Sequence, residues 1–217
     1  MIVGVFFMGF FLSFLIEINL GTDPCSFMNV SIANKIGITF GTWQLILNVI
    51  LLALVIWQKK TLIGPGTVAN MVFVGYIADF FRWVWGKMIP KYIFTDNPYR
   101  IIVFAAALLL FVVAAALYMN ANVGVAPYDA VPMIVKDKLK KVPFSIIRIL
   151  FDYTVVLIGA LVSGGLPNVG VLVMALFLGP VISFVGKPVG KILGTAKAAD
   201  NMVPEAHDSG TSETTEK

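Results

Sequence analysis

Four stretches of this chain carry no charged residue at all: 1–16, 43–57, 101–122 and 153–186. About 20 apolar residues in a helix cross the roughly 30 Å hydrocarbon core of a bilayer. Within lipid a segment has to satisfy its own backbone polar groups, which for such runs means a helix. The runs therefore predict an all-α, polytopic transmembrane helix bundle. Composition agrees, with 59% of residues hydrophobic and 13% charged, against about 25% charged in ordinary soluble domains. In such a chain a net charge of +4 reports orientation in the membrane. Lipid is the expected surrounding, and no nucleic-acid partner is expected.

The reactive side chains narrow the function. Cys25 is the one cysteine, which excludes an internal disulfide and a cysteine-based metal site. The one histidine, His207, falls in a polar tail. No metal site, cofactor or nucleotide loop is expected, nor any nucleophile paired with a base, so an enzyme is not predicted. The first apolar run lacks a basic flank and a small-residue cleavage site and reads as a retained span. It starts so abruptly that the chain would begin a few residues inside the usual N-terminus of such proteins.

Internal similarity organises the rest. Gly21, Pro24 and Lys35 fall on Gly124, Pro127 and Lys138 at one constant offset. After a one-residue slip, Gln44 falls on Arg148, Asn48 on Asp152, Gly66 on Gly170, Gly75 on Gly179, Asp79 on Ser183 and Phe80 on Phe184. The chain thus reads as two homologous four-helix repeats, 1–100 and 101–193, followed by a disordered cytoplasmic tail, 194–217, without apolar periodicity. Each repeat has a long apolar helix (2–20, 101–120) and a short amphipathic one (24–37, 127–140). Two further spans follow (42–58 and 66–85; 144–162 and 169–186). Proline suits the first turn of the short helices, and Gly64-Pro65-Gly66 and Gly164-Gly165-Leu166-Pro167 punctuate the last turns.

These eight segments allow two topologies. If the short helices cross, the repeats are parallel. One side then holds Lys35, Arg82, Lys87, Lys91, Arg100, Lys136, Lys138, Lys140, Lys141, Lys187, Lys191 and Lys197, against Lys59 and Lys60 on the other. If they re-enter, the repeats are inverted and the division is nine against five. Positive charge concentrates in the cytoplasm, which favours eight crossings of the bacterial inner membrane with both termini cytoplasmic. Length argues the other way, since fourteen helical residues rise only about 21 Å.

Ionisable and amide side chains inside the membrane are costly and mark function or pairing. Arg148 and Asp152 sit one helical turn apart on one face, as an ion pair or as a solute-orienting pair. Gln44 and Asn48 hold the matching places in the first repeat. Asp23 and Asp129 flank the prolines that open the short helices, where the helix dipole favours a carboxylate. Capping is one role for them, and ligand binding at an interrupted helix is the other. Asn29 on the first short helix and Asn70 on the fourth segment complete the candidate set. Glu17 reads as an unpaired acid near the outer face, and Asp79 as a local partner of Arg82. Gly66, Gly75, Gly170 and Gly179 read as close-packing positions, and Trp43, Trp57, Trp83 and Trp85 as interfacial anchors.

The run Gly21-Thr22-Asp23-Pro24, Gly41-Thr42-Trp43-Gln44, Gly66-Thr67-Val68-Ala69-Asn70 and Gly75-Tyr76-Ile77-Ala78-Asp79 resembles the YczE/YyaS/YitT-like family of bacterial membrane proteins, over residues 1–190. The second half departs from it at Val169-Gly170-Val171 and Ser183. The resemblance implies a permease-like role without an agreed substrate. The expectation is a secondary transporter for a small polar or charged solute, ion- or proton-coupled. The alternative is a membrane scaffold or regulatory protein that binds a partner and transports nothing. The small size admits a homodimer.

Overall fold

A computed structural model describes residues 1–192. The expected tail, 194–217, lies outside the described residues, as do the packing of Gly179 and the side chain of Ser183. The described chain is helical and contains no strand. In order the helices are α1 (Ile2–Ile18), α2 (Pro24–Ile36), α3 (Phe40–Lys59), α4 (Pro65–Met88), α5 (Tyr92–Thr95), α6 (Tyr99–Asn120), α7 (Pro127–Lys138), α8 (Phe144–Ser163) and α9 (Val169–Ile192). Three helical stretches are long and apolar enough to cross a membrane: Phe40–Leu62, Tyr99–Asn120 and Phe144–Ser163. Their outward faces carry exposed Ile50, Leu54, Leu109, Leu157 and Leu161, the pattern of a bundle solvated by lipid. This is a membrane protein with transmembrane helices.

The element boundaries follow local chemistry. Asp23 caps α2 by accepting from the Ser26 N–H at 3.0 Å, and Pro24 fills the first turn. Thr39 caps α3 by accepting from the Thr42 N–H at 3.3 Å. The first half of α3 is bound to α4 at Gly41 and Gly75, where the two backbones pass so closely that neither position has room for a Cβ. Asp79 of α4 reinforces this contact by accepting the Gly41 N–H at 2.6 Å, so one helix caps the next. Val5, Leu12, Leu15, Phe40, Val74, Ala78, Phe111 and Tyr118 form the main buried cluster, between α1, α4, α6 and the start of α3.

The packing directions decide how the segments run. Gly4, near the start of α1, lies against Ala114 and Tyr118, late in α6. At the other end, Arg100 of α6 donates to the carbonyls of Ile18 (2.9 Å) and Asn19 (3.3 Å). The two helices are therefore antiparallel. Along α1 and α4 the contacts advance together: Gly9 meets Val74 and Ile77, Phe10 meets Phe81, and Phe14 meets Trp85. Those two helices are parallel.

A parallel α1 and α4 does not fit the eight-crossing order of helix directions. With α2 crossing, three reversals separate α1 from α4 and leave them antiparallel. With α2 not crossing, two reversals remain and the helices are parallel, as found. Length is the physical reason. The 13 residues of α2 and the 12 of α7 reach only about 20 Å and 18 Å at 1.5 Å per residue.

Two expectations are corrected. Glu17 is not an unpaired acid; Arg82 donates to it at 2.8 Å, and Arg82 also lies 3.6 Å from Asp79. Trp85 is not an interfacial anchor, because its ring packs on Phe10, Phe14 and Phe81 and its indole N–H donates to Ser13 at 2.8 Å. Trp57, by contrast, is 81% exposed beside the lysines that end α3.

Candidate functional site

The two short helices place their first turns in the middle of the molecule. Met28 of α2, Tyr128 of α7 and Val155 of α8 form one buried cluster, with Cys25 and Phe151 packed against it. α2 packs along α8 and α3, and α7 packs along α3 and α8, so these four helices close a ring. Each N-terminal turn thereby arrives within the protein, its backbone N–H groups and dipole aimed at the interior.

Charge accumulates at this junction. Arg148, on α8, donates from Nε to Asp152 Oδ2 at 2.9 Å and from Nη1 to Asp129 Oδ1 at 2.7 Å. One guanidinium fork thus serves two carboxylates on different helices, which an ammonium could not do with the same planar geometry. The Tyr128 hydroxyl donates to Asp152 Oδ1 at 2.7 Å, so both oxygens of that carboxylate are engaged. Asp152 is 2% exposed and Tyr128 6%, so the Asp152 end of the network is desolvated and a missing partner there is costly. The guanidinium carbon lies 5.4 Å from the centre of the Tyr128 ring, close enough for a cation–π contribution.

Asp23 stands at the start of α2, within range of the charges of Asp129 and Asp152. One of its oxygens caps the helix; the other, Oδ2, is buried without a protein partner. Two carboxylates therefore share one guanidinium, and a third stands beside them without an ion pair to it. The arrangement suits a cationic or proton-donating guest, or a solute whose own charge replaces one arm of the Arg148 fork.

The remaining candidates are buried but separate. Asn29 is 1% exposed and donates to Cys25 Sγ at 3.4 Å, leaving its carbonyl oxygen without a partner. Gln44 (7%), Asn48 (4%) and Asn70 (6%) are interior residues of α3 and α4, and Gln44 Oε1 is likewise unpartnered. Among the described residues no hydrogen bond joins these four amides to the Arg148 cluster. Sequence reasoning missed Tyr128. Its signal was its place directly after the helix-opening Pro127, in the turn that carries Asp129.

A pocket of 520 Å³ lies elsewhere, between the α3–α4 connection and the α6–α7 connection, lined by Thr61, Gly64, Asn122, Val123, Val125 and Met133 among others. The walls are bound together through the backbone: Val125 N–H to Leu62 at 2.9 Å and Gly66 N–H to Val123 at 2.7 Å. The Tyr118 hydroxyl lies 3.2 Å from the carbonyls of both Gly66 and Gly124.

The model of a family of unknown function, DUF6198, matches residues 1–187. The "Uncharacterized protein YyaS" of Bacillus subtilis (strain 168) is 26% identical over 195 residues, 86% of this chain and 90% of that protein. The "Uncharacterized membrane protein YczE" of the same organism is 26% identical over 136 residues, 62% of this chain and 60% of that protein. No solved structure matches.

Proposed function

We propose that the chain, which belongs to the DUF6198 family of unknown function, is a secondary transporter for a small polar or charged solute, built from two inverted repeats around the Arg148 cluster. The observation that carries the reading is Arg148 held between Asp129 on the short helix α7 and Asp152 on the long helix α8. Opening that contact separates two elements whose charges then need another partner, and a solute or coupling ion can supply it. Binding at interrupted helices between inverted repeats is a recurrent transporter design.

The pattern of helix contacts supports the repeat. Exchanging α1 with α6, α2 with α7, α3 with α8 and α4 with α9 turns α1–α4 into α6–α9, α2–α8 into α7–α3, α3–α4 into α8–α9 and α2–α3 into α7–α8; all eight are observed packings. The loops obey the same exchange: Gly21 lies on Gly170, and Gly124 lies on Gly64. On this reading six helices cross the cytoplasmic membrane and α2 and α7 re-enter it from opposite sides. Nine basic residues then lie on the side of the two termini, which places both in the cytoplasm.

The topology has a direct test. In a Cys25→Ser background, single cysteines introduced at Ile38 (between α2 and α3) and at Lys141 (between α7 and α8) are expected on opposite faces of the membrane. A membrane-impermeant thiol reagent applied to intact cells should label Ile38→Cys and spare Lys141→Cys. Labelling of neither or of both returns the parallel, eight-crossing arrangement. For transport itself, uptake into proteoliposomes of a panel of organic cations, amino acids and organic acids is expected to reveal a solute whose flux falls at least tenfold in Arg148→Ala and Asp152→Ala. Flux indifferent to both substitutions removes the cluster from the mechanism.

A scaffold or regulatory protein is the second reading, and the observation favouring it is that Arg148 and Asp152 are already paired internally. It predicts no solute flux from any member of the panel, with a partner protein retained through crosslinking in native membranes.

A further inference from the structure

We propose that the lysine-rich end of the bundle, around the α7–α8 connection, binds the headgroup of an anionic phospholipid. Six lysines converge there: Lys59 and Lys60 at the end of α3, and Lys136, Lys138, Lys140 and Lys141 around the end of α7. The Lys59 ammonium donates to Asp137 at 2.5 Å, which draws the two groups into one patch and uses the acid that lies among them. Lys136 donates to the carbonyls of Lys140 (3.0 Å) and Val142 (2.9 Å), closing the turn on itself. Lys60, Lys138, Lys140 and Lys141 are exposed, and none forms an ion pair among the described residues.

The opposite end of the molecule treats its cations differently. Arg82 is spent on Glu17, Arg100 on backbone carbonyls of α1, and Lys87 lies 3.8 Å over the Trp83 ring. Among the described residues, Lys35 and Lys91 are the exposed lysines of that end left without such a contact, whereas the α7–α8 end gathers four, Lys60, Lys138, Lys140 and Lys141, into one patch.

What selects a lipid over a soluble anion is the apolar surface at the same place. Trp57 is 81% exposed, Leu139, within the lysine run, 51%, and Ile146, just beyond it, 48%. A phosphate diester attached to acyl chains satisfies both halves of that surface, with ammonium groups on the headgroup and Trp57, Leu139 and Ile146 along the chains. A free phosphate or an acidic soluble protein would use the charge and leave the apolar rim in water. The inference rests on the chain being a membrane protein and is independent of whether it transports.

The test uses the full chain purified in a neutral detergent, with thermal unfolding followed as phosphatidylglycerol, phosphatidylcholine or inorganic phosphate is added. Phosphatidylglycerol is expected to raise the unfolding temperature by several degrees. Phosphatidylcholine and inorganic phosphate are expected to have little effect. A Lys60→Gln/Lys138→Gln/Lys140→Gln/Lys141→Gln variant should require roughly tenfold or more lipid for the same shift, whereas Lys87→Gln/Lys91→Gln should respond as the parent does. The lipid-free unfolding temperature reports whether each variant folds. Equal protection by phosphatidylcholine, protection by inorganic phosphate alone, or an undiminished response in the quadruple variant each overturns the proposal. In the last case the lysines serve topology only.

Discussion

Arg148→Ala is expected to cost about 3–5 kcal/mol of stability, the range for removing one member of a buried ion pair and leaving the other uncompensated. For a chain of this size that is a drop on the order of 10 °C in unfolding temperature. The two arms of the fork should contribute unequally. Asp152 is 2% exposed at its side chain and Asp129 is 31% exposed, so water can resolvate Asp129 when Arg148 is gone but cannot reach Asp152. Asp152→Asn in the Arg148→Ala background should therefore restore more stability than Asp129→Asn does. Thermal unfolding in detergent of the single and double variants closes the cycle. Arg148→Lys should fall between, because an ammonium keeps the charge and loses the second arm. If Arg148→Ala unfolds at the parent temperature, the network is already hydrated and the electrostatic account fails.

The same cluster marks how far the sequence reaches. Arg148 and Asp152 could be paired on paper because a helix brings residues four apart onto one face. Asp129 could be suspected because a carboxylate in a first helical turn is favoured by the dipole. Joining all three needs the α7–α8 hairpin, and no local rule supplies its register. Tyr128 escaped for a related reason: nothing in its neighbourhood says that its hydroxyl faces Asp152 rather than lipid. Glu17 and Arg82 are the extreme case. They meet across α1 and α4, and each taken alone reads as a stray charge near a helix end.

Boundaries were legible and direction was not. Proline and Asp23 fix the start of α2, and a glycine in the left-handed region ends it at Gly37 (φ 76°) and ends α8 at Gly164 (φ 70°). The four-residue α5 went unnoticed, being too short for any periodicity. Whether the halves run parallel or inverted leaves no trace in a residue offset, because both arrangements align the same positions. Counting lysines then favoured eight crossings, whereas the length of α2 and α7 pointed to the arrangement whose helix directions are observed. The two signals part because inversion would put Lys35, Arg82, Lys87, Lys91 and Arg100 on one side, and two of these are held in internal contacts.

The loops that deliver the short helices should be the least forgiving backbone in the molecule. Gly124 has φ +111°, and a Cβ there would lie 2.5 Å from the Gly64 nitrogen and 2.7 Å from its Cα. Valine at this position combines a backbone conformation that β-branched residues avoid with a collision against main chain that cannot rotate away. A strained backbone costs about 1–3 kcal/mol, and overpacking about the same again, so Gly124→Val should lose roughly 3–5 kcal/mol. The exchange of halves makes Gly21 the counterpart test, since its Cβ would strike the Gly170 main chain at 2.6 Å. Two other glycines calibrate the scale. Gly37 shares a positive φ of 76° but has open space around it, so Gly37→Ala should cost about 1 kcal/mol from backbone strain alone. Gly86 is helical with nothing near it, and Gly86→Ala should be neutral or stabilising by up to about 1 kcal/mol. Unfolding temperatures falling in the order Gly86→Ala, Gly37→Ala, Gly124→Val would tie the cost to loop contact. If Gly124→Val matched Gly37→Ala, the α3–α4 and α6–α7 connections would not be in contact, and the route by which α7 reaches the Arg148 cluster would have to be redrawn.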